Sequence, residues 1–168
     1  GRPHLDLASC EMAAFFAGAL GRRGVTVVSG GAAGIDTAAH KACLEAGGRT
    51  ICVLGTGFDR PFPPQNREFF WSLGRDGPFR ESCLISEYSP DLGGSPHHFP
   101  ERNRLVAAMS DAVIVIQAEF GSGTMITARL AIDIGVPVFA VPADIYWNGS
   151  AATNDLLGRG AMAICRPG

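Results

Sequence analysis

The chain has 168 residues, of which 46% are hydrophobic and only 18% charged. This composition excludes a disordered chain and fits one domain that spans residues 1–168. The formal net charge of −2 excludes a broad basic surface of the kind that tracks nucleic acid. The basic residues are nonetheless uneven, because Lys41 is the one lysine beside 13 arginines, whose planar guanidinium groups suit phosphate.

Cysteine usage and hydropathy predict a cytoplasmic protein without a membrane contact. The five cysteines show no CxxC spacing, and Cys52 lies in an apolar run where buried free thiols are common. The longest apolar stretch, residues 12–20, is about half the length that a membrane-spanning helix needs. No signal-peptide pattern opens the chain.

Short β-branched runs alternate with amphipathic segments along the chain. The runs that predict strands are residues 25–29, 50–54, 83–86, 112–116, 138–141 and, as a sixth candidate, 161–164. The segments that predict helices are roughly residues 9–22, 36–46, 65–74, 102–110, 124–134 and 152–158. The strands are apolar on both faces, which is typical of parallel strands covered by helices. The sequence therefore predicts an α/β fold with a three-layer, doubly wound, mostly parallel sheet of the extended Rossmann-like type.

Three strand–helix junctions of this predicted sheet are rich in glycine. Ligands bind beyond the carboxyl ends of parallel strands, where loops lead into helix N-termini. The first junction, residues 29–36, reads SGGAAGID, and its glycines would let backbone N–H groups approach a phosphate. Within it, Asp36 is also interpretable as a helix cap. The spacing differs from GxGxxG and so does not indicate NAD.

The other two junctions carry different signals. Residues 55–57, GTG, precede a proline-rich helix entry and are best interpreted as a tight turn. Residues 119–127, EFGSGTMIT, combine small hydroxyl side chains, two glycines and a helix start, which is the stronger anion-binding pattern. The alternative for this third junction is simple capping of the helix by Thr124.

A cluster of polar residues opens the helix predicted at residues 102–110. Arg102, Asn103 and Arg104 precede an apolar run, and we interpret them as candidate phosphate clamps. The alternative is that these arginines are ordinary surface charges. No pattern of catalytic or metal-binding residues accompanies them, since the adjacent His97 and His98 have no second ligand pair at suitable spacing. The residues alone therefore predict a phosphate-binding or nucleotide-binding domain with no metal and no cofactor.

The ordered motifs resemble one family, the bacterial DNA-processing protein A family, also called DprA or Smf. The resemblance runs from about residue 24 to residue 164. It rests on six motifs in register, at residues 27–40, 55–67, 86–88, 99–104, 121–129 and 138–142.

The resemblance implies a single-stranded DNA-binding protein rather than an enzyme. Family members protect incoming strands in natural transformation, help to load the RecA recombinase, and form homodimers through this domain. The DNA-binding residues that the resemblance nominates are Ser29, Gly30, Gly34, Arg102, Asn103, Arg104, Gly121, Ser122 and Thr124, together with Arg2. The accessory N-terminal segment and winged-helix domain of many members are expected to be absent. Many relatives carry a basic residue where this chain has Ala33, so one phosphate contact is expected to be missing.

Two alternative functions belong to related folds. The first is hydrolysis of nucleoside monophosphates, as in the lysine-decarboxylase-like LOG superfamily. The Gly123-Thr124 pair aligns with the motif of that superfamily, but its catalytic glutamate position holds Thr127. Without that carboxylate the developing oxocarbenium charge has no stabilising partner. The second alternative is a nucleotide-sensing module that binds a small nucleotide at the same edge of the sheet.

Overall fold

The computed structural model describes residues 7–74, 76–146, 149 and 151–167, and helices alternate with strands along them. The six strands in these residues are β1 (Val27–Ser29), β2 (Thr50–Val53), β3 (Cys83–Ile85), β4 (Val113–Val115), β5 (Val138–Ala140) and β6 (Met162–Ala163). The six α-helices are α1 (Leu7–Arg22), α2 (Ile35–Glu45), α3 (Arg67–Ser72), α4 (His98–Ala108), α5 (Gly123–Asp133) and α6 (Ala151–Gly158). A 3-10 turn, Pro64–Asn66, precedes α3.

Helix ends follow the proline and glycine signals of the sequence. Helix α5 ends just before Gly135, which adopts a left-handed φ of 78° and donates its N–H to Ile132 O at 3.0 Å. Helix α4 begins at His98, four residues before the predicted start, and its first turn accommodates Pro100. A proline is tolerated there because the first N–H groups of a helix have no intrahelical partner.

Every strand pairing in the structure is parallel. Strand β2 lies between β1 and β3, with Val28 opposite Ile51 and Cys52 opposite Leu84. Strand β5 lies between β4 and β6. These two orders are the two halves of the Rossmann order, β3-β2-β1 and β4-β5-β6, so the predicted Rossmann-like fold class is confirmed. Among the described residues no hydrogen-bonded ladder joins β1 to β4, so the strands form two three-stranded sheets instead of the single sheet predicted.

Each half of the fold has its own hydrophobic cluster. The first cluster packs Leu54 at the end of β2 against Phe69 and Phe70 of α3. The second cluster packs Val115 of β4 against Met125 of α5. Helix α4 packs against α5 and also contacts β2. Residues at the start of α4 can therefore contact loops of both halves, and this position determines the geometry of the site.

None of the helices in the described residues is long and apolar enough to cross a bilayer.

Candidate functional site

The first glycine-rich junction is a loop held by its own side chains and by distant ones. The Asp36 carboxylate, in the first turn of α2, accepts the N–H groups of Gly30 at 3.1 Å and Ala32 at 3.2 Å. Asp36 therefore organises the loop, whereas Gly34 occupies the N-cap position with a φ of 98°. Ser29, the last residue of β1, is half-buried beside this loop.

Arg102 lies inside the protein, with 6% of its surface exposed. Its Nη1 donates to Gly30 O at 2.8 Å and to Val53 O, so the guanidinium joins the ends of β1 and β2. Burial lowers the pKa of the Arg102 guanidinium, and the nearby Asp36 carboxylate opposes that shift. A Cβ at Gly30 would lie 2.5 Å from Arg102 Nη2, so Gly30 is required for this packing.

Asn103 connects the first junction to the third. Its Oδ1 accepts from Arg102 Nε at 3.2 Å, and its Nδ2 donates to Gly123 O at 3.0 Å. The amide group of Asn103 thus has partners at both ends within the protein. The carboxyl edge of the fold is consequently one connected structure, in which the start of α4 fixes the two loops relative to each other.

The third junction, residues 119–127, is a more open loop than the first. Ser122 caps α5 by accepting the N–H of Met125 at 3.4 Å, so the cap is Ser122 and not Thr124 as the alternative interpretation supposed. Thr124 is exposed at the helix start. Gly121 has a φ of 78°, and nothing lies within 4 Å of the position where a Cβ would stand. This loop leaves room for a ligand next to a helix N-terminus.

Arg104 differs from Arg102 in exposure. More than half of its side chain, 56%, is accessible, and its Nη2 lies 2.5 Å from Glu87 Oε2. The hydrogen bond to Glu87 raises the pKa of Arg104. Helix α4 therefore exposes Arg104, which is paired with a carboxylate, and buries Arg102, which holds the loops.

The second junction is closed. Gly55, Thr56 and Gly57 are buried, and the N–H of Gly57 donates to Leu92 O at 2.8 Å. A Cβ at Gly57 would overlap the carbonyl oxygen of Ser89. The interpretation of this junction as a tight turn agrees with the structure, and the segment above it leaves no open loop for phosphate.

One predicted site residue, Arg2, lies outside the described residues. Within those residues, no group of three or more His, Cys, Asp and Glu side chains could hold a metal ion.

The sequence analysis assigned no role to Asn66, yet its buried amide donates to Gly31 O and to the Thr37 hydroxyl. Its contacts could not be found from spacing, because Asn66 lies 35 residues from Gly31 along the chain.

Comparison with known proteins identifies the family. The family model described as DNA recombination-mediator protein A matches residues 3–167. The chain belongs to this family. The resemblance of the six ordered motifs is thereby confirmed.

Relatives in the DNA recombination-mediator protein A family share a third to a half of their aligned residues with this chain. Protein Smf of Synechocystis sp. is 46% identical over 74% of the chain and 30% of its own length. DNA processing protein DprA of Streptococcus pneumoniae is 40% identical over 83% of the chain and 48% of its own length. The chain thus spans less than half the length of these curated relatives.

Solved structures agree with the family assignment. The structure of DprA from Streptococcus pneumoniae matches with a TM-score of 0.87 and 34% identity, over 96% of this chain and 55% of that one. A structure describing the single-stranded DNA binding mode of DNA processing protein A from Helicobacter pylori matches with a TM-score of 0.82 and 33% identity. The match covers 94% of this chain and 69% of that one. A molybdenum cofactor carrier protein from Chlamydomonas reinhardtii shares the fold alone. It matches with a TM-score of 0.60 and 19% identity, over 96% of this chain and 82% of that one.

Proposed function

We propose that this chain binds single-stranded DNA through the first and third glycine-rich junctions. The observation that carries the proposal is their connection through the start of α4, where Arg102 holds Gly30 and Asn103 holds Gly123. Two loops in a fixed relation offer phosphate contacts at a defined spacing, which suits a strand better than one isolated phosphate. The single-stranded DNA binding described for the Helicobacter pylori relative supports the same ligand.

The proposed contacts divide the predicted residues into two groups. We assign direct phosphate contacts to Gly34, Gly121, Ser122 and Thr124 through backbone and hydroxyl groups, and to Arg104 through charge. Gly30, Arg102 and Asn103 act by holding the loops in place, and Ser29 leads from β1 into the first loop. Phe120 is 63% exposed beside the third junction and offers a ring on which a base can stack.

Wider roles follow from the family and belong to the same proposal. We propose DNA processing in the cytoplasm, with RecA loading and natural transformation as its setting. Homodimerisation is supported by exposed apolar side chains in the β4–β6 half, including Ile132, Ile134 and Met162. We further propose that the chain is not an enzyme, because Thr127 occupies the LOG glutamate position and its hydroxyl donates to Gly123 O at 3.2 Å.

Arg104 provides the test of the DNA site. Arg104→Ala should weaken oligo-dT binding and reduce the slope of log affinity against log salt by about 0.7, the value for one neutralised phosphate of a single strand. Arg159→Ala is the matched control, since Arg159 is also exposed and also pairs with a carboxylate, Asp155, at 2.7 Å. Arg159 directly follows α6 and precedes β6, so it lies near the N-terminal ends of the strands, away from the junctions at their carboxyl ends, and this variant should bind like the parent.

Glu87→Gln tests the same contact in the opposite direction. Removing the carboxylate frees Arg104 and should raise oligo-dT affinity up to about fivefold at low salt, the upper worth of an exposed ion pair. Equal affinity of the parent, Arg104→Ala and Glu87→Gln would refute the assignment of Arg104.

Parallel titrations with AMP, GMP and a cyclic dinucleotide separate strand binding from nucleotide sensing. Release of free base from AMP would instead identify a hydrolase.

A further inference from the structure

The Asn66 side chain links the segment before α3 to the first glycine-rich junction by hydrogen bonds. It is 7% exposed, and its Nδ2 donates to Gly31 O at 2.9 Å and to Thr37 Oγ1 at 2.7 Å. Thr37 Oγ1 in turn donates to Ala32 O at 2.6 Å. Asn66 therefore fixes both the loop and the first turn of the helix that follows it.

The contact with Gly31 O determines the orientation of a peptide group. In a trans peptide the C=O and the N–H point in opposite directions. With Gly31 O turned toward Asn66, the N–H of Ala32 is turned the other way, and there it meets the Asp36 carboxylate at 3.2 Å. A rotation of this peptide would break both contacts at once, so Asn66 and Asp36 hold it from opposite sides.

The next two amides along the chain are the ones that this arrangement leaves available. Among the described residues, neither the Ala33 N–H nor the Gly34 N–H has a hydrogen-bond partner. Both are next to the N-terminus of α2, where the helix dipole favours an anion. The Ala33 N–H belongs to the Ala32–Ala33 peptide, whose C=O accepts from the Thr37 N–H at 3.2 Å and from Thr37 Oγ1 at 2.6 Å. Asn66 acts on this peptide from both sides, through Thr37 Oγ1 and through the preceding Gly31–Ala32 peptide.

We propose that Asn66 is a positioning residue for the phosphate site: it sets the orientation of the Gly31–Ala32 peptide so that the Ala33 and Gly34 amides meet a phosphate of the strand. This inference rests on the proposed function. The residue type fits the role, because a side-chain amide supplies two donors to two acceptors, whereas an aspartate supplies none and a serine supplies one. The ligand class addressed by these amides is the phosphodiester group and not the base.

The test is a titration of the full chain with short oligo-dT, followed by backbone amide NMR. The variants are Asn66→Asp, which has the same shape without donors, and Asn66→Ser, which is the milder change if the aspartate fails to fold. Ser82→Ala is the matched control, since the buried Ser82 hydroxyl accepts the N–H of Thr50 at 2.9 Å at the other edge of the same sheet.

In the parent and in Ser82→Ala, oligo-dT should shift the amide resonances of Gly34 and Gly121. In the Asn66 variants the Gly34 shift should be lost and the Gly121 shift retained. Affinity should fall at least about tenfold, the loss expected when even one of the two amide hydrogen bonds to the charged phosphate is broken.

Two results would overturn the inference while leaving single-stranded DNA binding by the chain intact. The first is a Gly34 shift in the Asn66 variants equal to that in the parent, because Asn66 would then have only a structural role. The second is binding of oligo-dT to the parent that moves Gly121 but not Gly34, a result that would also remove the first junction from the proposed DNA site. A parent chain that binds no oligo-dT at all would instead overturn the proposed function itself.

Discussion

The buried histidine below the first junction makes stability depend on pH. His40 is fully buried in α2, and its Nδ1 lies 2.5 Å from Thr50 Oγ1. That hydroxyl donates its own hydrogen to Val27 O at 2.6 Å, so it must accept from the ring. Nδ1 of His40 therefore carries a proton. Nε2 is buried with no partner among the described residues, which favours the neutral ring with Nε2 unprotonated.

Burial of the His40 ring determines how strongly the free energy of unfolding depends on pH. Desolvation lowers the pKa of His40 from 6.5 to about 4; the Asp36 carboxylate opposes this shift and the Arg102 guanidinium adds to it. Between these two pH values the unfolded chain binds a proton that the folded chain does not. The free energy of unfolding therefore falls as pH falls below 6.5, by about 1.4 kcal/mol per unit. From pH 7.5 to pH 5 the loss is about 2 kcal/mol.

Urea unfolding at pH 7.5 and pH 5 measures this loss directly. His40→Gln should remove the titrating group, so that its free energy of unfolding falls by about 2 kcal/mol less than that of the parent over this range. His97→Gln removes an exposed histidine and should show the pH dependence of the parent. Comparing changes with pH, not absolute stabilities, separates the titration from the loss of the Thr50 contact. Equal pH dependence in the parent and His40→Gln would refute the reasoning.

Two further predictions concern residues around the same loop. Gly31→Ala should lower the free energy of unfolding by about 3 kcal/mol, because φ is 69° and the new Cβ would stand 2.6 Å from Cys52 Sγ. Gly24→Ala, with a φ of 76° and open space around it, should lower it by only about 1 kcal/mol, as urea titrations of both variants would show. Burial raises the pKa of Cys52, so iodoacetamide should modify the exposed Cys83 at pH 8 and leave Cys52 intact in peptide mass spectra; modification of both at equal rates would contradict this.

Sequence patterns predicted the fold well because they report on local structure. Alternating apolar runs and amphipathic segments located each described helix and strand to within a few residues. The glycine and proline after α5 predicted an end at residue 134, one residue beyond the observed end at Asp133. The strands are shorter than predicted. Strand β1 ends at Ser29, as predicted, because the next residue, Gly30, has both its N–H and its C=O bound by side chains.

The roles of the two arginines could be predicted only in part. Residues two apart on a helix point to different sides, so Arg102 and Arg104 lie on different sides of α4. Helical geometry alone does not say which of them is buried. That depends on the carbonyl groups of Gly30 and Val53, which lie 72 and 49 residues away in the chain. Long-range partners of this kind leave no periodic signal in one sequence.

The distribution of charge and glycine indicates how this chain would bind a strand. The positive charge of Arg102 is satisfied by carbonyl groups inside the fold, and that of Arg104 is shared with Glu87. Gly30 makes room for the buried guanidinium, whereas the position of Gly121 is open to solvent. Phosphate contacts would therefore come mainly from backbone amides, which release few counterions on binding. Affinity for single-stranded DNA should consequently depend weakly on salt, with a slope close to that of a single arginine.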